Sequence, residues 1–159
     1  MLTLLLALLL PTQDPTTPPP TAHPTYTTEA RGVQIYRCTQ QASAYTWVFQ
    51  SPEATLFDPI THQQIATHSA GPTWTWKDGS AITGKVIQKS PSPDPASIPW
   101  LLLTATPSGT TIGALTPVKL VRRSDTQGGN APTTGCDATH ADTTLRVPYT
   151  ATYTFYTAP

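Results

Sequence analysis

Hydrophobic and polar residues alternate with a period of two along much of the chain after residue 30. The clearest case lies near the C-terminus, where the apolar positions are Leu145, Val147, Tyr149, Ala151, Tyr153 and Phe155. Most of the positions between them are threonines. Because successive side chains of a strand point to opposite faces of a sheet, this pattern predicts a long strand with one buried face.

The same alternation predicts further strands over 33–36, 45–50 and 118–123, with Val33 and Ile35 on the apolar side of the first. The run 100–105 is apolar at nearly every position and predicts a strand that is covered on both faces. Segments 74–76 and 81–87 flank Asp78-Gly79, a pair that favours a tight hairpin turn.

No segment after residue 30 shows the apolar spacing of a helix, and Pro- or Gly-containing turn sequences separate the strands. We therefore expect an all-β fold: a single antiparallel β-sandwich or barrel-like domain over residues 29–157, with long loops.

The N-terminal part has a different character. Residues 1–10 form an apolar run that resembles the hydrophobic core of a signal peptide and is too short to cross a bilayer. The alternative is a frayed apolar N-terminus on a cytosolic protein. Residues 11–28 are rich in Pro and Thr, and we expect a disordered spacer there because proline removes backbone donors and little can be buried.

The charge balance excludes several classes of protein. Nine basic and nine acidic side chains give a formal net charge of zero, and charged residues make up only 11% of the chain. A neutral chain without a basic run has few groups to neutralise phosphates, so we expect no nucleic-acid partner. A coiled coil or helical bundle would need far more Ala, Glu, Lys and Leu at helical spacing.

Cys38 and Cys136 are the only cysteines, so only one intramolecular pairing exists. In an oxidising compartment they would form a disulfide, whereas in the cytosol they would remain buried free thiols. Together with the apolar leader, they lead us to expect a disulfide and a secreted, extracytoplasmic protein.

A series of motifs occurs in a fixed order along residues 30–157. They are Gly32-Val-Gln-Ile-Tyr-Arg-Cys38, Pro52-Glu-Ala-Thr-Leu-Phe-Asp58, His68-Ser-Ala-Gly-Pro-Thr-Trp74, Asp78-Gly-Ser80, Ile98-Pro-Trp-Leu-Leu-Leu103, Thr126-Gln-Gly-Gly129, Gly135-Cys-Asp137 and Val147-Pro-Tyr-Thr-Ala-Thr-Tyr153. In these motifs the chain resembles domain-of-unknown-function family 3455, a group of secreted bacterial and fungal proteins. The resemblance implies an exported single-domain protein, places both cysteines in family motifs and implies no activity.

Two groups of polar residues are candidates for a site. His68, Asp137 and His140 could converge if the disulfide ties their loop to the sheet, and two imidazoles with a carboxylate could hold a transition metal. The alternative is that these histidines bond to backbone or water. Arg123 precedes the Gly-rich segment 128–129, where backbone N–H groups could bind an anion. The alternative is a simple turn, with the arginine paired to Asp125 or solvated.

Trp74 and Trp76 project from the same face of one predicted strand. An exposed pair could stack on sugar rings or on a partner surface. A buried pair would fill the core, which is the usual place for large apolar side chains at alternating positions.

Enzyme signatures are scarce in this sequence. No Gly-x-Ser-x-Gly motif surrounds a serine, and the only glutamates are Glu29 and Glu53. We therefore favour a secreted, monomeric, non-catalytic extracellular binding or surface-associated module, with no cofactor and no transmembrane span in the mature chain. Its expected partner is a carbohydrate or a cell-surface component. The alternative is a small extracellular metalloenzyme whose site is formed by His68, Asp137 and His140.

Overall fold

The computed structural model describes residues 13–157, and in this part of the chain nearly all regular structure is β-strand. The strands are β1 (His23–Gln41), β2 (Ala44–Phe57), β3 (Gln64–Ser69), β4 (Thr73–Trp76), β5 (Ala81–Ser90), β6 (Trp100–Ser108), β7 (Val118–Gly128) and β8 (Thr144–Thr157). A three-residue 3₁₀ turn, Ala138–His140, precedes β8. No helix in this part is long and apolar enough to cross a membrane.

Each strand pairs antiparallel with the next one along the chain, and β8 pairs back with β1. The eight strands therefore form one sheet that closes in a ring. The ring is not a strict barrel: β4 has only four residues, and it pairs with β5 at three positions. The predicted all-β antiparallel fold is confirmed in its barrel-like form.

Alternation along the strands fills the ring with apolar side chains. In β8 the burial follows the predicted period, with every second residue from Tyr149 to Phe155 buried. The predicted hairpin is also confirmed, since β4 and β5 are joined by a turn with Gly79 at a φ of +86°. The largest fully buried side chains of the core are Trp74, Tyr153, Phe155, Leu56, Ile82, Leu103, Leu115, Val118 and Val121.

One end of the ring is sealed by the connection between β6 and β7, which places Leu115 fully inside the core. The β4–β5 turn holds this connection in place. Asp78 Oδ2 accepts a hydrogen bond from the Ala114 N–H at 2.7 Å, and Ser80 Oγ accepts one from the Leu115 N–H at 3.1 Å. We call this the closed end.

The N-terminal segment differs from the expected disordered spacer. Strand β1 begins at His23, and residues 23–28 pair only with β8 because pairing with β2 starts at Glu29. The missing N–H of Pro24 is tolerated there because no second strand needs it. Upstream, Arg122 bonds the Asp14 carboxylate at 2.6 Å and the fully buried Thr16 hydroxyl at 3.3 Å. Residues 23–28 therefore belong to β1 instead of the expected disordered spacer, while residues 1–12, including the proposed leader, lie outside the described residues.

The disulfide prediction is confirmed. Cys38 in β1 is bonded to Cys136 with an S–S distance of 2.02 Å, and Cys38 is fully buried. The bond ties the loop before β8 to the C-terminal part of β1. Because disulfides persist in oxidising compartments, it indicates an extracytoplasmic location.

Candidate functional site

Polar side chains replace apolar ones inside the ring, toward the end opposite the closed end. Gln34 from β1, His68 from β3 and Arg123 from β7 are exposed by only 3%, 4% and 9%. All three line a cavity of about 300 Å³. Its other walls are Phe49, Gln50, Pro52, Gly71, Pro72, Trp74, Val86, Leu101, Leu103 and Tyr153. A mostly apolar cavity with a few buried polar groups has the composition of a ligand site.

Two of the apolar residues that line the cavity are half-exposed. Phe49 and Val86 line it and are exposed by 49% and 46%. The β3–β4 loop contributes Gly71 and Pro72 to the lining. Large apolar side chains that remain half-exposed around a cavity are typical of surfaces that contact a ligand or partner.

Three rings form one wall of the cavity. His68 and Trp74 are directly paired across β3 and β4, and their rings stack with centroids 4.4 Å apart and an interplanar angle of 11°. Tyr153 meets the His68 ring edge-on at 5.1 Å. Gly84 in β5 makes room for the indole, because a Cβ there would lie 2.8 Å from Trp74 Cζ3.

His68 is neutral at neutral pH. Its Nδ1 lies 2.9 Å from the Thr73 carbonyl oxygen, which can only accept, so Nδ1 carries the proton. Burial lowers the pKa of His68 to about 4; the Thr73 carbonyl opposes this shift and the positive charge of Arg123 adds to it. The Nε2 atom is therefore left as a hydrogen-bond acceptor.

Arg123 is held by a backbone carbonyl. Its Nε and Nη2 donate to Pro99 O at 3.1 and 2.8 Å. Within residues 13–157 no carboxylate lies within ion-pair distance of this guanidinium. The alternative that Arg123 pairs with Asp125 is wrong, since Asp125 accepts a hydrogen bond from the Ser124 hydroxyl instead. The alternative that Arg123 is solvated is also wrong, because its side chain is buried.

Two buried donors in the cavity lining have no hydrogen-bond partner among the described residues. They are Gln34 Nε2 and Trp74 Nε1. A third such atom, Trp100 Nε1, belongs to a residue outside this lining. Leaving a buried donor unpaired costs about 1–3 kcal/mol, and folded proteins contain few such groups.

The structure does not assemble the predicted metal site. His68 lies inside the ring, whereas Asp137 and His140 belong to the exposed 3₁₀ turn. Asp137 caps this turn by accepting from the Thr139 and His140 N–H groups, and the Thr139 hydroxyl and the His140 ring lower its pKa to about 2. Across the described range, no three His, Cys, Asp or Glu residues form a group that could hold a metal ion. The metal-site prediction is wrong because the Asp-Ala-Thr-His spacing serves a helix cap.

The prediction of an exposed aromatic surface is also wrong, and the alternative of a buried tryptophan pair is confirmed. Trp74 and Trp76 are exposed by only 1% and 8%. Trp76 packs against Tyr26 and Phe155, with ring centroids 4.6 and 6.0 Å away. Trp74 still contributes to the candidate site, from inside the ring rather than from its outer surface.

Sequence reasoning identified His68 and Arg123 but missed Gln34. The expected inward face of β1 carried Val33 and Ile35, whereas the structure turns Gln34 and Tyr36 inward. The sequence did contain a signal for this orientation. Cys38 lies an even number of residues after Gln34, so both side chains share one face of the strand, and cysteine is usually buried.

The fold and cavity define a class: an all-β, disulfide-linked protein whose single ring-shaped sheet encloses a small, partly polar cavity. The chain belongs to the family described as "Protein of unknown function (DUF3455)", whose model matches residues 18–157. This confirms the resemblance seen in the sequence motifs. No curated protein and no solved structure matches the chain.

The buried histidine makes stability depend on pH. The pKa of His68 is about 4 in the folded protein and 6.5 in its ordinary state, so between these values the unfolded chain binds the extra proton. Stability should therefore fall as the pH drops from 7 toward 4, by about 3 kcal/mol in total from this residue. Urea unfolding across this range measures the slope. The groups that face His68 are Arg123 and Tyr153.

The control for this prediction is His68→Gln, whose amide can still donate to the Thr73 carbonyl but does not titrate. Its stability should change much less between pH 7 and 4. Parallel pH curves for the original protein and the variant would contradict a buried neutral histidine.

Proposed function

We propose that the protein is a secreted, monomeric, non-catalytic binding module that holds a small molecule in the cavity inside its ring. The observation that carries this proposal is one cavity lined by the buried Arg123, Gln34 and Trp74, in which Gln34 Nε2 and Trp74 Nε1 have no hydrogen-bond partner within residues 13–157. Both donor atoms are fully buried, so a ligand that accepts from them after a small side-chain rotation would remove the cost of leaving them unpaired. The disulfide supports the extracytoplasmic setting.

The chemistry of the lining favours binding over catalysis. The cavity-lining residues include no Ser, Cys, Asp or Glu, which are common nucleophiles and general acids or bases. His68 has a pKa of about 4, so it is a weak base at neutral pH. A cavity built on strands of a closed sheet is also largely preformed, as ligand pockets usually are.

The cavity replaces the outer sheet surface as the proposed point of contact. The expected carbohydrate or cell-surface partner depended on an exposed Trp74–Trp76 pair, and both side chains are buried. The apolar lining favours a small ligand with an apolar body over a strongly hydrated sugar chain.

The neutral fluorophore N-phenyl-1-naphthylamine tests the proposal, because its emission rises when it enters an apolar site. We expect saturable binding of one molecule per chain. Val86→Asp should weaken it at least tenfold, since it places a charge on the cavity lining where Val86 is already half-exposed.

The matched control is Ile87→Asp. Ile87 is the next residue along β5 and is equally exposed at 46%, but it does not line the cavity. Its affinity for the fluorophore should change less than twofold. Equal losses in both variants, or no saturable binding at all, would overturn the proposed function.

A further inference from the structure

We infer that the ligand of this cavity carries a carboxylate, which Arg123 binds, and an apolar body that lies against the aromatic and aliphatic walls. The inference rests on the proposed binding function and specifies the chemistry of the ligand. It is carried by the charge of Arg123, by the unpartnered donors and by the composition of the lining.

Arg123 is unlike the other arginines of the chain. The other four are more exposed, and each has a carboxylate partner: the ion pairs are Arg31–Glu29, Arg37–Asp142, Arg122–Asp14 and Arg146–Glu53. Arg123 is the most buried of the five, and its hydrogen bonds go to the neutral carbonyl of Pro99. The positive charge that is most costly to bury therefore has no negative partner among the described residues.

The hydrogen bonds of Arg123 leave part of its guanidinium for a ligand. Nε and Nη2 both donate to the same Pro99 oxygen, and Nη1 makes no hydrogen bond within residues 13–157. A guanidinium presents five N–H groups in a planar fork that matches a carboxylate. An acidic ligand would supply the missing countercharge and accept from the remaining N–H groups.

The other polar groups of the lining favour an acceptor-rich partner as well. Within residues 13–157, Gln34 Nε2 and Trp74 Nε1 have no hydrogen-bond partner, and no acidic side chain lines the cavity. An ionised carboxylate only accepts, with two oxygens that take about four hydrogen bonds in total. It therefore fits a site that combines a cation with spare N–H groups.

The apolar walls of the cavity determine the chemistry of the ligand beyond its carboxylate. Phe49, Val86, Leu101 and Leu103 are apolar and approach the cavity from three strands. A small inorganic anion would leave these walls without contact, whereas an apolar body would cover them and remove their apolar surface from water. The predicted ligand class is thus a small apolar monocarboxylate.

Two nearly isosteric compounds, 2-naphthoate and 2-naphthamide, test the inference by displacing N-phenyl-1-naphthylamine at pH 7. They differ mainly in the charge of the head group. We expect 2-naphthoate to bind at least tenfold more tightly than 2-naphthamide. In Arg123→Met this preference should fall to less than twofold, while affinity for the neutral fluorophore changes less than threefold.

Lys119→Met is the matched control, because it removes the same charge from an exposed position on the same strand. It should keep the tenfold preference. If Arg123→Met does not fold, as judged by circular dichroism, Gln34→Met serves as the second variant and should reduce the preference by removing an unpartnered donor. An unchanged preference in that variant, or in a folded Arg123→Met, would overturn the inference.

The two proposals fail in different ways. Saturable binding of the fluorophore with equal displacement by naphthoate and naphthamide would overturn the carboxylate inference and leave the binding function standing. Absence of saturable binding by all three compounds would overturn both.

Discussion

Replacing both Cys38 and Cys136 by alanine should lower the free energy of unfolding by about 4 kcal/mol. The two residues are 98 positions apart, so the bond removes a large amount of conformational freedom from the unfolded chain. Alanine is preferred to serine because Cys38 is fully buried, and a serine hydroxyl there would add its own desolvation cost. Urea unfolding monitored by circular dichroism measures the change.

Reduction of the unaltered protein is the control for this variant, because it breaks the same disulfide without any substitution. Its stability should fall by a similar amount. The loop before β8 keeps other contacts to the sheet: the Asp142 N–H donates to Cys38 O at 2.8 Å, and Trp47 Nε1 donates to Thr134 O at 3.0 Å. We therefore expect a weakened fold rather than an unfolded chain, and a loss below 1 kcal/mol would contradict the chain-entropy account.

Strong alternation made most strands predictable. Strand β8, the β4–β5 hairpin and β6 all carry clear apolar patterns or an Asp-Gly turn, and the structure contains each of them. Strand β3 was missed because Gln64–Ser69 has only six residues, of which Ile65 and Ala66 are the only apolar ones. Its neighbours in the ring, β2 and β4, impose the strand through backbone hydrogen bonds.

The errors at the N-terminus and in β1 have a common physical origin. Composition describes an isolated segment, whereas the ring closes through pairing between β1 and β8, which lie at opposite ends of the described chain. Proline density suggested disorder, yet residues 23–28 need only one neighbouring strand. Likewise Gln34 looked like an outward residue, but the phase of β1 is determined by Ala30, Tyr36 and Cys38, which are all buried.

The candidate site was predicted only in part. His68 and Arg123 were identified as unusual residues, and the structure brings both to one cavity. Their expected partners were wrong because sequence spacing does not reveal which strand faces are opposed across a ring. Asp137 and His140 satisfy each other locally, with Asp137 Oδ1 and His140 Nδ1 at 2.8 Å, so they had no need of a distant ligand.

The two ends of the ring differ in how completely their buried polar groups are paired. Toward the closed end, apolar side chains such as Phe155 and Leu115 fill the core, and none of the buried polar atoms that lack partners in the described part of the chain belongs to this end. Toward the opposite end, a buried cation and the three buried donors that lack partners within residues 13–157 lower stability. Functional sites commonly retain such local costs, which the rest of the fold compensates. This asymmetry is why we place the function in the cavity rather than on the outer face of the sheet.

Trp74 belongs to both the core and the cavity, so its substitution separates stability from binding. Trp74→Ala should lower the free energy of unfolding by about 3–5 kcal/mol, because a large side chain is removed from a packed interior. The indole contacts the rings of His68, Tyr153 and Phe155, at centroid distances of 4.4, 5.7 and 6.3 Å. Chemical denaturation measures this loss, and Trp47→Ala, at a half-buried position, should cost clearly less.

Trp74→Phe is the more informative variant, since it keeps an aromatic ring and removes the unpartnered Nε1 donor. Losing the polar atom offsets part of the lost packing, so its stability should fall by less than about 2 kcal/mol. Affinity for 2-naphthoate should nevertheless drop severalfold, while affinity for N-phenyl-1-naphthylamine stays within threefold. If Trp74→Phe instead bound both compounds as the unaltered protein does, the indole N–H would have no part in ligand binding and only its packing would matter.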